Sequence, residues 1–295
     1  MKALIIGSRG RLGAALLNQW SPHIPLVGLA RPEVDLAQPD LLGGILERHP
    51  ADVVVNCAGI TSLETCEDAP ALAHTVNAEA PGALALACKR AGRRLIHIST
   101  DYVFDGLAPG LRTEDEPAHP ISTYGRTKLL GEQLVTSASP DHVVVRVSWL
   151  FGPEKPGFVE SILRNAVSQP EVEAVADKFS CPTFTHDLAD WLLPFVTRPS
   201  LPGGLYHACN SGACSWHDLA TEALRIAAAL GAPLQTTSVR PLRLEEMAAF
   251  RAPRPRNTPM DCSKLASTIG LRPRPWQLAL ADYLARTHPW IIKKS

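Results

Sequence analysis

The chain has 295 residues, 45% hydrophobic and 20% charged, with 29 basic residues balanced by 29 acidic ones. That length buries a core without disulfides or metals, and the zero net charge excludes a nucleic-acid binder that relies on a bulk basic field. Seven cysteines with no C-x-x-C pair read as reduced thiols of a cytoplasmic protein, and no apolar run is long enough for a signal peptide or a membrane span.

Residues 2–6 (KALII) form a short apolar run stopped by glycine, the pattern of a buried parallel strand, and 11–20 read as the helix that follows. A second strand is expected at 25–29, a helix at 40–48 with Asp40 as N-cap, and a third strand at 52–57. An Ala/Leu-rich pattern predicts a long helix over 69–91, with Gly92 suited to its end. A fourth strand at 94–99, a helix at 124–136 and a fifth strand at 142–148 continue the alternation. This spacing implies an α/β fold with right-handed crossovers and a doubly wound parallel sheet, whose ligands lie beyond the carboxyl ends of the strands. After residue 150 the alternation thins. Helices near 157–168, 184–196, 215–230 and 275–286 and a strand near 172–175 lie among Pro-rich turns, and 232–260 has no clear pattern. The division expected is a dinucleotide-binding Rossmann domain over 1–150 and a smaller, mainly substrate-binding lobe over 151–295, with some segments returning to the sheet.

The first turn reads G-S-R-G-R-L-G, with Gly7, Gly10 and Gly13 between a strand and a helix. Glycine there permits a tight turn, close approach of a pyrophosphate to the backbone, and close packing of helix on strand. Arg11 and Leu12 open the helix, whose N-terminal N–H groups and dipole suit phosphate. The second strand ends at Arg31 rather than at an acidic residue, and Arg9 lies within the turn. Two guanidiniums near the adenosine 2′ position favour NADP(H). Glu33 keeps NAD(H) open, and Asp35-Leu36 follow where an adenine would be touched.

Tyr124 and Lys128 stand in Y-G-R-T-K, a spacing that puts both on one helix face. Carbonyl reduction by hydride leaves an alkoxide that must take a proton; a phenol can supply it if a nearby ammonium lowers its pKa towards the working pH. Ser99 and Thr100 end the fourth strand, where a hydroxyl can polarise a substrate carbonyl. No His/Asp/Glu spacing demands a metal. His97 is expected to pack within its strand, and the other histidines to lie at the surface or at caps.

These residues resemble an extended short-chain dehydrogenase/reductase, and more narrowly the dTDP-4-dehydrorhamnose reductase family. The resemblance runs through V-V-N-C-A-G-I-T at 54–61, V-N-A-E-A-P at 76–81, H-I-S-T-D-Y-V-F-D-G at 97–106, Y-G-R-T-K-L-L-G-E at 124–132, R-V-S-W-L-F-G at 146–152, C-P-T-F at 181–184 and R-P-R-N-T-P-M-D at 254–261. It implies that Thr100, Tyr124 and Lys128 are the catalytic trio. It implies that Ala58, Gly59, Asn77 and Ser99 join the cofactor site, with Asn77 supporting the active-site helix. Asp101, Tyr102, Trp149, Arg254 and Asn257 would bind substrate. The activity implied is NAD(P)H-dependent reduction of the 4-keto group of a dTDP-linked 6-deoxy sugar, in a chain that does not bind nucleic acid or membrane, with a homodimer left open. Two rival readings are another epimerase or reductase of the extended family, and a non-catalytic NADP-binding regulatory subunit. A glutamate after Asp101 would have marked a dehydratase, but Tyr102 stands there.

Overall fold

The computed structural model describes residues 1–293, so the last two residues of the 151–295 segment lie outside the described residues. β1 (Ala3–Ile6) leads through the glycine turn into α1 (Arg11–Trp20), followed by β2 (Leu26–Leu29), α2 (Leu42–Arg48) and β3 (Val53–Asn56). The segments α3 (Leu63–Asp68), α4 (Pro70–His74) and α5 (Ala80–Arg90) bring the chain to β4 (Arg94–Thr100), and α6 (Thr123–Ala138) carries it to β5 (Val143–Val147). Beyond lie β6 (Leu150–Phe151), α7 (Phe158–Ser168), β7 (Val172–Val175), β8 (Phe179–Ser180), β9 (Thr183–Phe184) and α8 (Thr185–Thr197). β10 (Gly204–Ala208), β11 (Cys214–Ser215), α9 (Trp216–Ala229), β12 (Val239–Leu242), α10 (Ser263–Ile269) and α11 (Trp276–Lys293) complete the order.

Six strands form one parallel sheet in the order β10-β5-β4-β3-β1-β2. β1, β3 and β5 are buried along their whole length, as a parallel sheet covered on both faces requires. One face packs on α1 and α8 through Leu16, Trp20, Leu188 and Phe195, and the Trp20 indole N–H donates to the Ala189 carbonyl at 2.9 Å. The other face packs on α2, α5 and α6 through Ile45, Leu84 and Val135. A further core, built on α7, α9 and α11 with β7 and β12, holds the second lobe together around Leu163, Leu224 and Leu280. The direction of sheet growth reverses between β1 and β3, so the crevice of a doubly wound sheet opens there. Among the described residues no helix is long and apolar enough to cross a membrane.

Three expectations are corrected. The helix over 69–91 is interrupted: α4 passes through a π-helical turn, Thr75–Glu79, before α5. That turn holds Asn77, whose side chain brackets Ile60, accepting from its N–H at 2.9 Å and donating to its carbonyl at 3.0 Å. Asp40 is not an N-cap but lies inside a short 3-10 turn, Pro39–Leu41, ahead of α2. The histidines are not confined to the surface, since His142 and His207 are buried and hydrogen-bonded.

Candidate functional site

The glycine turn is shaped by contact. Gly7 sits at φ +84°, where a side chain would be strained, and a Cβ there would meet the Ala58 nitrogen at 2.8 Å. A Cβ on Gly13 would run into the Gly7 carbonyl oxygen. Gly10 opens α1 without a side-chain cap, and the first turn carries no acidic residue. The free N–H groups and positive dipole end at Arg11, Leu12 and Gly13 are therefore left for an anion, which fits a dinucleotide pyrophosphate. Leu12 itself is buried in the core. Arg11 reaches across to the second lobe and donates to the Lys155 and Pro156 carbonyls, so its guanidinium fastens the turn to that lobe.

At the end of β2, Arg9 donates to the Arg31 carbonyl at 3.1 Å and lies 3.9 Å from Glu33; Arg9, Arg31 and Glu33 are all exposed. Asp35 receives the Ala37 N–H at 3.0 Å, and the Leu36 side chain is turned into the core. Gly59 is exposed beside Asn77, where an added Cβ would lie 3.0 Å from Oδ1.

Ser122 caps α6 by accepting the Gly125 N–H at 3.1 Å, and one turn of helix sets Tyr124 and Lys128 on its buried face. Gly125 is needed because its Cα rests against the Tyr102 carbonyl. Against the expectation that a nearby ammonium lowers it, the Tyr124 phenol is pushed up by burial, with the neighbouring Thr100 hydroxyl pulling it back in part. Lys128 is buried, and burial brings its pKa down to about 8, with Glu132 opposing. Its Nζ donates to the Ile98 carbonyl at 2.6 Å and lies 3.2 Å from His97 Nε2. His97 in turn meets Asn56 at 3.2 Å, and Asn56 accepts the Ala58 N–H at 3.1 Å. This run of contacts ties the ammonium to the residue against which Gly7 packs, joining the Tyr–Lys pair to the glycine turn. His97 does more than fill its strand.

Thr100 and Ser99 point to opposite sides of β4, as neighbours in a strand must. The Ser99 hydroxyl donates to Glu132, which is locked in a buried pair with Arg146 at 2.7 Å. Ser99 is thus committed to α6 and β5, and Thr100 is the hydroxyl beside Tyr124. Asp101 accepts hydrogen bonds from Thr100 at 3.2 Å, Ser148 at 2.9 Å and Thr258 at 2.6 Å. Tyr102 packs edge-on to Tyr124 with ring centroids 5.7 Å apart.

Among the described residues Trp149 is the non-glycine residue at positive φ, +40°, a strained conformation that aims its indole at Phe158 (5.1 Å) and Trp216 (5.5 Å). Phe250 closes this aromatic wall against Trp216, and the Arg254 guanidinium lies 3.9 Å from the Phe250 ring centre. Arg254 is paired with Glu64 at 2.7 Å, and Arg251 with Asp68 at 2.9 Å. Asn257 binds the Gly106 carbonyl at 3.2 Å and holds its loop in place. The sequence reading missed Lys178. It is buried, with its ammonium 4.9 Å from the Tyr102 ring centre, and a single lysine inside a loop carries no periodic signal.

A doubly wound parallel sheet, a glycine turn free for an anion, and a Tyr–Lys pair at the strand ends define an extended short-chain dehydrogenase/reductase. Within that class, the chain belongs to the family described as the RmlD substrate binding domain, whose family model matches residues 1–288. It is 35% identical over 291 residues to a dTDP-4-dehydrorhamnose reductase of Burkholderia thailandensis, covering 95% of this chain and 97% of that protein. A dTDP-4-dehydrorhamnose reductase structure from Clostridium acetobutylicum superimposes with a TM-score of 0.89 at 32% identity, covering 98% of this chain and 100% of that one. Another from Bacillus anthracis, in complex with NADP, gives 0.88 at 27% identity, covering 97% of this chain and 99% of that one.

Proposed function

We propose that this protein is an NADPH-dependent ketoreductase acting on the 4-keto group of a dTDP-4-keto-6-deoxy sugar, with NADH as a weaker alternative. The observation that carries the reading is the placement of Tyr124, Thr100 and Lys128 at the strand ends, linked through His97 and Asn56 to the glycine turn. Relatives named for this reaction support it, and the NADP complex of the Bacillus anthracis structure supports the cofactor.

A bound nicotinamide dinucleotide would supply the hydride. Gly7, Gly10 and Gly13 would hold its pyrophosphate against the start of α1, while Arg9 and Arg31 would receive the 2′-phosphate. Thr100 directs its hydroxyl at the substrate carbonyl oxygen. Tyr124 keeps its proton because burial disfavours the phenolate, and releases it from Oη as negative charge develops on that oxygen. The Lys128 ammonium steadies the phenolate left behind. Ala58, Gly59 and Asn77 shape the floor of the nicotinamide side, and Trp149 forms a wall for the sugar nucleotide. Tyr102 and Arg254 border the same pocket, while Asp101 and Asn257 hold its loops in place.

The test is cofactor oxidation with dTDP-4-keto-6-deoxy sugars, using NADPH and NADH in parallel. Wild type turns over faster with NADPH. Tyr124→Phe loses roughly 10²–10⁴-fold in kcat, the range for removing a positioned proton donor, yet still binds NADPH. Full turnover by Tyr124→Phe would remove the phenol from the mechanism. A wild-type protein that binds NADPH but leaves every such sugar unreduced would favour the regulatory-subunit reading.

A further inference from the structure

Lys178 is a buried cation without a counterion in contact. Its residue exposure is 1%, its ammonium lies 4.9 Å from the Tyr102 ring centre, and among the described residues no carboxylate oxygen comes within 4.0 Å of it. The charged groups around it are already engaged. Asp101 is the nearest acid by charge but is satisfied by three hydroxyls, and Arg254, a second cation, is paired with Glu64 and the Ala252 carbonyl.

The backbone on both sides of Lys178 is tied down by hydrogen bonds. On one side Asp177 accepts the Leu244 N–H at 2.7 Å, and on the other Phe179 donates to the Arg256 carbonyl at 2.6 Å and accepts the Thr258 N–H at 3.0 Å. The ammonium lies over Tyr102, whose ring meets Tyr124 edge-on.

We propose that Lys178 is the anion-receiving residue of the substrate site and donates its ammonium hydrogens to a phosphate oxygen of the nucleoside diphosphate. This rests on the ketoreductase reading and assigns that site a residue of its own. The choice of anion over sugar hydroxyl follows from charge. A desolvated ammonium needs a formal negative charge to replace lost hydration, and a neutral hydroxyl does not return it. A phosphate oxygen does so through a charge-assisted hydrogen bond. Burial already brings the Lys178 pKa down to about 8, which fits a cation that awaits its partner.

The experiment compares dTDP with thymidine by calorimetry on the full chain saturated with NADPH. In Lys178→Met, dTDP binds about tenfold or more weakly, while thymidine and NADPH bind as in wild type. The melting temperature of Lys178→Met holds or rises, because the variant removes an uncompensated buried charge. Lys178→Gln gives the same dTDP loss in a polar side chain of similar length. If dTDP affinity stays within about twofold in both variants, or thymidine weakens equally, Lys178 does not receive the phosphate. A wild type that reduces the keto sugar while the variants keep dTDP affinity overturns the Lys178 assignment alone. A wild type that binds no dTDP overturns the ketoreductase reading with it.

Discussion

Burial acts on Tyr124 and Lys128 in opposite senses, and reduction needs that difference. The phenol is pushed up, so it keeps its proton through the neutral range; the ammonium is brought down to about 8, so of the two it is the one that titrates near neutrality. The active form has Lys128 charged, and that form is lost as pH rises through the lowered pKa. At saturating sugar kcat is therefore flat on the acid side of this group and falls above pH of about 8, whereas kcat/KM also carries the substrate-binding Lys178, brought down to about 8 as well. A pH profile measured with saturating sugar checks this, and a profile flat to pH 10 would detach Lys128 from the rate. The Tyr–Lys pair was legible because two residues one helical turn apart, behind a strand ending in Ser-Thr, form a pattern. The side chains that fix its electrostatics were not. His97 reaches Lys128 from β4 and is itself met by Asn56 from β3, and Ser148 and Thr258 reach Asp101 from points far apart in the chain.

At the scale of elements, α1 and α6 both owe their position to very close approach. Gly13→Ala would force α1 away from the Gly7 carbonyl, an overpacking that costs about 1–3 kcal/mol. Its expected signature is a lower melting temperature together with weaker NADPH binding in a fluorescence titration. α6 is joined to β5 by the Glu132–Arg146 pair, whose side chains are 5% and 4% exposed. Glu132→Ala strands a buried guanidinium and lowers stability by about 3–5 kcal/mol, measured by urea unfolding. The apolar strands were readable because unbroken runs such as Val143–Val147 fit only a covered parallel sheet. The break within residues 69–91 was not, since Asn77 interrupts an Ala-rich pattern through a bond to Ile60 that local sequence cannot announce. The two-residue strands β6, β8, β9 and β11 are too short to carry any period.

For the whole molecule, Thr258 is the contact through which the C-terminal segment reaches the strand ends. Its hydroxyl donates to Asp101 while its backbone N–H donates to Phe179. Thr258→Val removes one hydrogen bond to a charged acceptor, worth about 1.5–3 kcal/mol, and loosens the loop that carries Arg254 and Asn257. Sugar KM then rises more than NADPH KM, which steady-state kinetics with each substrate varied in turn would register. The expected division at residue 150 meets a related fact: β10, at Gly204–Ala208, pairs with β5 along five residues. A ribosome must therefore deliver more than fifty further residues after β5 before that edge is covered. Until then the nascent chain presents Val143–Val147, an all but apolar strand, to its surroundings. Expression of residues 1–150 alone should accordingly give inclusion bodies, and the full-length chain should gain yield from slower synthesis or added chaperone.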